Sequence, residues 1–153
     1  MTDSRFTLDT NLLIYSIDTD SGTRHEVSKS IVIRAAMADC VLTLQVLGEF
    51  FHAVTRKGHL PAASARDFVT HWIQVFPVCA ANEQTLAEAM RWVDQDRLSF
   101  WDAMIIGAAR EASCSVILTE DMQDGRQLEG IELINPFSAT GKERAEALLP
   151  IAL

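Results

Sequence analysis

The feature that most constrains this chain is alternation. Short apolar runs of strand length are separated by segments with the i, i+3, i+4, i+7 spacing of amphipathic helices. Residues 5–9 read as a first strand ending at an acid, and residues 40–44 as a second. Residues 77–80, 115–119 and 131–134 carry the same strand character. Between them, helical spacing covers residues 23–37, with Val27, Ile31 and Ala35 on one face, and residues 45–57, closed by Gly58. After Pro61 the stripe is Ala65, Phe68, Val69, Trp72, Ile73 and Phe76. Asn82 caps a helix expected to bury Leu86, Ala89, Met90 and Val93, and Ser99 caps another that runs to about residue 112. Strands alternating with helices of this length predict a three-layer α/β/α domain around a central, mainly parallel sheet.

That domain is expected to occupy residues 1–137, leaving a tail over 138–153 in which residues 142–149 suit a short helix stopped by Pro150. Apolar residues make up 48% of the chain and charged residues 22%, which gives a packed globular core. No apolar run reaches the ~18 residues of a membrane span, so no membrane role is expected. The start, Met1-Thr-Asp-Ser-Arg-Phe6, lacks the pattern of a secretory signal. Cys40, Cys79 and Cys114 form no CxxC pair, so neither a disulfide framework nor a zinc knuckle is indicated. Both features fit a reducing cytoplasm.

With 13 Lys and Arg against 21 Asp and Glu, the net charge is −8. A general basic coat for nucleic acid is excluded, because the long-range field repels phosphate. Any nucleic-acid role needs a local site where a cation bridges acid to phosphate. The carboxylate excess otherwise marks a metal site or a surface for a basic partner. Where the acids fall decides between these.

In a parallel α/β sheet, ligands bind beyond the carboxyl ends of the strands. Asp9 follows the first strand directly, and Asp121, with Asp124 three residues on, follows the strand at 115–119. Glu49 lies one turn into the helix after the second strand, and Asp102 in the first turn of the helix capped by Ser99. Each acid also has a local explanation. Asp102 fits a helix cap and dipole, Asp121 and Asp124 fit a turn, Asp9 fits a cap, and Glu49 fits a solvated face or a pair with Arg56. Four separate caps need not converge on one edge, and these four do. Asp102 also precedes Ile105, Ile106 and Ala109 at helical spacing, so it is expected on the core-facing side with no basic neighbour.

Four carboxylates ~5 Å apart repel by ~3 kcal/mol per ionised pair at an effective dielectric of twenty, so they must bind a cation, take up protons or splay apart. An all-oxygen donor set suits Mg²⁺ or Mn²⁺. Zinc would want His or Cys, and His25, His52, His59 and His71 have neither HxxxH nor HExxH spacing. A divalent site of this kind serves phosphate chemistry. The chain has no GxxxxGK[ST] loop and no GxSxG elbow, and metal-assisted hydrolysis of a phosphodiester needs neither.

These residues resemble a known family. Leu8-Asp9-Thr10-Asn11-Leu12-Leu13, Gln45-Val-Leu-Gly-Glu49-Phe50, Phe100-Trp101-Asp102-Ala-Met-Ile-Ile-Gly-Ala-Ala109 and Leu118-Thr119-Glu120-Asp121-Met-Gln-Asp124-Gly125 resemble, in order, the acidic blocks of PIN domains. The branch they are most similar to is the VapC-type toxins of prokaryotic toxin–antitoxin pairs, over about residues 5–137. The resemblance implies an endoribonuclease dependent on Mg²⁺ or Mn²⁺, with Asp9, Glu49, Asp102 and Asp121 as the catalytic and metal-binding quartet and Asp124 as an additional metal ligand. It implies that Thr10, Asn11 and Thr119 orient the site, that the protein forms a homodimer, and that a cognate antitoxin occupies the acidic groove. Arg24, Arg56, Lys57 and Arg97 are candidate phosphate contacts on an RNA substrate, and Trp101 beside Asp102 is placed to stack on a base.

The competing readings are a catalytically silent PIN-like binding module, a receiver-type phosphotransfer domain and an aspartyl-phosphate phosphatase. The module would normally lose one of the four acids, and all are here. The receiver needs a lysine beyond the last strands, and there is none between Asp121 and Gly141. The phosphatase needs an acid two residues after Asp9, where Asn11 stands.

Overall fold

A computed structural model describes residues 4–56, 59–95 and 97–152. At its centre β1 (Phe6–Leu8) pairs in parallel with β4 (Val116–Leu118), and β4 pairs in parallel with β6 (Ile131–Ile134). Every residue of β1 and β4 is buried, as continuous apolar strands covered on both faces must be. A second parallel pair, β2 (Leu42–Thr43) with β3 (Val78–Cys79), joins the free side of β1 through a bridge between Phe6 and Cys40. The sequence pattern misses β5 (Gln127–Leu128), a two-residue antiparallel edge strand too short to show alternation.

Helices flank this sheet. They are α1 (Thr10–Ile17), α2 (Thr23–Ala35), α3 (Leu44–Thr55), α4 (Ala62–Val75), α5 (Glu83–Asp94), α6 (Phe100–Glu111) and α7 (Ala139–Glu146). The caps behave as local chemistry dictates. Thr43, Ser99 and Ser138 each accept a backbone N–H of the first turn, and Asn82 forms a reciprocal box with Thr85. Helix α3 ends at Thr55 with Arg56 as its C-cap; Lys57 and Gly58, read as its end, lie outside the described residues.

Two expected faces are corrected. Helix α5 buries Thr85, Ala89 and Trp92, whereas Leu86, Met90 and Val93 are exposed. Thr85 and the large indole of Trp92 pack together against Gly107 of α6, where a Cβ would stand 2.7 Å from Thr85 Cγ2 and 3.7 Å from the indole. In α4, Ala65 and Trp72 are buried while Phe68 and Ile73 are exposed.

The tail is built onto the domain. Helix α7 starts earlier than expected, at Ala139, where Ser138 caps it, and Gly141 lies so close to the Asn135 backbone that any Cβ would stand 1.8 Å from the carbonyl oxygen. Ala145, Leu148 and Leu149 are buried, and Arg34 of α2 grips Glu146 with two hydrogen bonds of 3.0 and 2.6 Å. Arg34 Nε also donates to the Pro150 carbonyl at 2.8 Å.

Candidate active site

Register builds the site. Leu8 pairs with Leu118, and Leu118 with Ile134, so three strands end level and the residues after them stand side by side. Asp9 N–H donates to the Leu118 carbonyl at 2.9 Å, and Thr119 N–H to the Ile134 carbonyl at 2.9 Å. The chain then turns at once into α1, with Asp9 as its N-cap accepting from Thr10 N–H at 2.7 Å. This helix escapes the sequence pattern: it is eight residues long and follows the strand without a loop.

Asp9 is the buried centre, only 6% exposed. Its second oxygen accepts the Thr119 hydroxyl at 2.7 Å. Thr10 Oγ1 donates to Glu49 Oε2 at 2.7 Å, and Gln45 Nε2 holds the other Glu49 oxygen at 2.6 Å. Asn11 Nδ2 donates to Asp121 Oδ2 at 2.7 Å, while Thr119 Oγ1 accepts from Asp121 N–H at 3.3 Å. Thr10, Asn11 and Thr119 thus tie Asp9, Glu49 and Asp121 together from segments 39 and 110 residues apart. Glu49 forms no ion pair with Arg56 among the described residues.

Asp102 reaches the same edge from α6. Ile105, Ile106 and Ala109 behind it are buried, but Asp102 itself, in the first turn of α6, is only half-buried. That corrects the expectation of a core-facing carboxylate. Its N–H is capped by Ser99 Oγ at 3.4 Å.

Burial is the main force on the Asp9 carboxyl and pushes its pKa up to about 6, against the lowering effect of Thr119 and Thr10; the Asp121 and Glu49 charges add to the rise. Asp121 is raised too, by burial first and then by Glu120 and Asp102. Asp9 therefore feels the charges of Asp121 and Glu49, and Asp121 that of Asp102. Among the described residues none of the four is in an ion pair, and no three Asp, Glu, His or Cys side chains converge closely enough to hold one ion as they stand.

Asp124 departs from its expected place as a further ligand. Its two oxygens accept Asn135 N–H at 2.8 Å and the Ser138 hydroxyl at 2.7 Å, and the Asn135 bond chiefly holds its carboxyl below the ordinary range. It braces the turn into α7.

The basic candidates divide. Arg97 pairs with Glu129 in the β5–β6 turn, which commits it to that turn rather than to the acidic edge. Arg24 donates to Glu120 at 2.9 Å, beside Asp121, and lies over the Phe137 ring at 5.2 Å. Arg56 is exposed at the end of α3, and Lys57 lies outside the described residues. Trp101 is 63% exposed next to Asp102. Two residues not singled out by the sequence also belong here. Tyr15 hydrogen-bonds Glu120 through its hydroxyl, and burial, then Glu120, pushes its pKa up to about 12. Gln45 links Glu49 to the Trp101 carbonyl, at 3.2 Å. A polar residue one helical turn before Glu49 was the available signal for Gln45; none marked Tyr15.

Fold and site together define a mixed α/β domain with carboxylates collected where parallel strands end. The chain matches the family model of the PIN domain over residues 6–123 and belongs to that family. A comparison with curated proteins finds no significant match. Among solved structures it is similar to Mycobacterium tuberculosis VapC20, described as a sarcin–ricin-loop-cleaving toxin, at 19% identity and a TM-score of 0.61, covering 76% of this chain and 89% of that one. A toxin–antitoxin complex from Klebsiella pneumoniae matches at 18% identity and a TM-score of 0.61, covering 86% and 97%. A DNA-bound VapBC complex from Salmonella typhimurium matches at 17% identity and a TM-score of 0.59, covering 85% and 96%.

Proposed function

We propose that this PIN domain is a metal-dependent endoribonuclease acting as the toxin of a toxin–antitoxin pair. The observation that carries the reading is Asp9: a buried carboxylate with two hydrogen-bond donors, neighbouring acids Asp121 and Glu49 from two other segments and no cationic partner among the described residues. A hard divalent cation suits that donor set of carboxylate oxygens, and Mg²⁺ or Mn²⁺ would be held by Asp9, Glu49, Asp102 and Asp121. When bound, it supplies the positive charge that lets an acidic protein engage a phosphodiester and a water. Thr119 and the Thr10 N–H fix both oxygens of Asp9, Thr10 and Gln45 fix Glu49, and Asn11 fixes Asp121, so the carboxylates are oriented before substrate arrives. Arg24, half-exposed beside the Asp121 loop, is the basic residue best placed to meet a substrate phosphate.

The similar toxin–antitoxin complexes support a protein antitoxin as partner, with a basic segment suited to the −8 surface. A homodimer in the cytoplasm completes the reading. The test is incubation of the purified protein with total cellular RNA in Mg²⁺ or Mn²⁺, with new ends mapped by sequencing. Discrete cuts lost with EDTA and in Asp102→Asn are expected. Cuts in neither condition, from protein that is folded, would leave a binding module.

A further inference from the structure

Two arginines of α2 are used in opposite ways. Arg34 spends its whole guanidinium on the fold: Nε donates to the Pro150 carbonyl, both Nη atoms reach Glu146, and the side chain is only 10% exposed. Arg24, in the first turn of α2, makes one hydrogen bond among the described residues, from Nε to Glu120 at 2.9 Å. The Phe137 ring lies 5.2 Å from its Cζ, and the side chain is 52% exposed. The guanidinium is therefore tethered along one edge and across one face, while its two-nitrogen fork is left open. A pair made only for stability would close that fork on the carboxylate, as Arg34 does on Glu146.

The carboxylate that tethers Arg24 is itself fixed. Its other oxygen accepts the Tyr15 hydroxyl, and its side chain is only 14% exposed. The Tyr15 ring meets Phe137 edge-on, with centroids 5.7 Å apart and planes at 82°. Four residues from four segments lock together: Tyr15 from α1, Arg24 from α2, Glu120 after β4 and Phe137 after β6. Asn11 and Tyr15 lie one turn apart on α1, and they hold Asp121 and Glu120, which are neighbours in the chain. One face of α1 thus sets an acid of the site and, through Glu120, the arginine beside it.

Resting on the nuclease reading above, we infer that Tyr15 and Glu120 are positioning residues that aim the open fork of Arg24 at a phosphate of the RNA strand next to the one cut. A planar fork matches two phosphate oxygens at once, and prior orientation spares the entropy of ordering a long side chain on binding. RNA is favoured over an acidic protein segment because the residue that Arg24 pairs with adjoins Asp121, where the nuclease reading already puts a phosphodiester. In a chain of net charge −8, a strand approaching that edge needs a fixed local cation.

The probe is a twelve-nucleotide single-stranded RNA of mixed sequence carrying a fluorescein label. Binding is read by fluorescence anisotropy over a series of KCl concentrations, with Ca²⁺ replacing Mg²⁺, at a temperature where melting curves show every variant folded. Arg24→Gln is expected to bind about ten- to a hundredfold more weakly. It should also flatten the plot of log affinity against log salt by about 0.7, the share of one phosphate on a single strand. Arg24→Lys should restore the slope but not the affinity, because it keeps the charge and loses the fork. Tyr15→Phe should keep the slope and weaken binding about two- to tenfold. It should have no further effect in the Arg24→Gln background, since it acts through that residue.

Unchanged affinity or slope in Arg24→Gln overturns the inference, as does wild-type affinity in Arg24→Lys or a Tyr15→Phe effect that persists in full without Arg24. A ten-residue glutamate peptide that binds wild type but not Arg24→Gln, while RNA binds both alike, would assign the fork to a protein instead. If wild type cuts RNA and these variants bind it as wild type does, the positioning inference alone falls. If wild type neither binds nor cuts RNA, the nuclease reading falls with it.

Discussion

The hydroxyl of Thr10 donates a 2.7 Å hydrogen bond to Glu49, a residue on a different helix 39 positions away. The bond joins the first turn of α1 to α3 at the point where Asp9 caps α1, so one residue serves two acids, Glu49 through its hydroxyl and Asp9 through its backbone N–H. Thr10→Val keeps the shape and removes the donor. Cleavage is expected to fall about ten- to a hundredfold, as for loss of a group that orients a metal ligand. Stability should fall by only ~1 kcal/mol, and Thr10→Ser should recover most of the activity. Initial rates on a mapped RNA, with melting curves beside them, check this; a Thr10→Val protein as active as wild type would sink it.

Asp9 makes stability depend on pH. Its folded pKa of about 6 stands above the ordinary value of 3.8, so between those values the folded state binds more protons than the unfolded state. The contribution is fully present below about 3.8 and is lost as pH rises through about 6, amounting to ~3 kcal/mol. In EDTA, Asp9→Asn should therefore gain on wild type as pH rises from 4 to 7 and hold a constant lead above that. Urea midpoints across the range measure the difference, and parallel profiles would exclude Asp9 as its source.

A divalent cation should reverse that penalty. At a hundred times its dissociation constant, a ligand bound only by the native state adds ~2.7 kcal/mol, or roughly 5–10 °C for a chain of this length. Mg²⁺ or Mn²⁺ is expected to raise the melting temperature of wild type by that order and that of Asp9→Asn and Asp102→Asn by much less. Equal shifts in all three proteins would place the ion elsewhere.

Asp124 offers a contrast within the same loop. Its oxygens brace Asn135 and Ser138, so Asp124→Ala should cost ~1–3 kcal/mol while the protein that remains folded cuts RNA at the wild-type rate. Hydrogen exchange at Asn135 and Gly141 would rise in the variant. Lost cleavage with unchanged stability would restore Asp124 to the metal site.

Much of this was legible because it is written in local chemistry. The apolar strands ending at Asp9 and Thr119, the caps at Asn82 and Ser99, and the order of the acids are properties of short windows. What stayed hidden depends on distant partners. Leu86 and Met90 look like a buried stripe until Trp92 finds its place beside Gly107. Asp124 looks equivalent to Asp121 until β6 delivers Asn135 to it. Helix α1 was invisible because its eight residues carry too few turns to display a period.

The central position of β4 has a consequence for the chain as it is made. Domains condense as units during synthesis, and contacts between distant segments form late. Asp9, Glu49 and Asp102 have all been translated before Val116, yet the slot beside β1 that fixes Asp9 stays open until Val116–Leu118 fills it, and Thr119 and Asp121 come last. A ribosome-bound or truncated chain ending before β4 thus carries Asp9, Glu49 and Asp102 without the strand and the Thr119 hydroxyl that hold Asp9 in place.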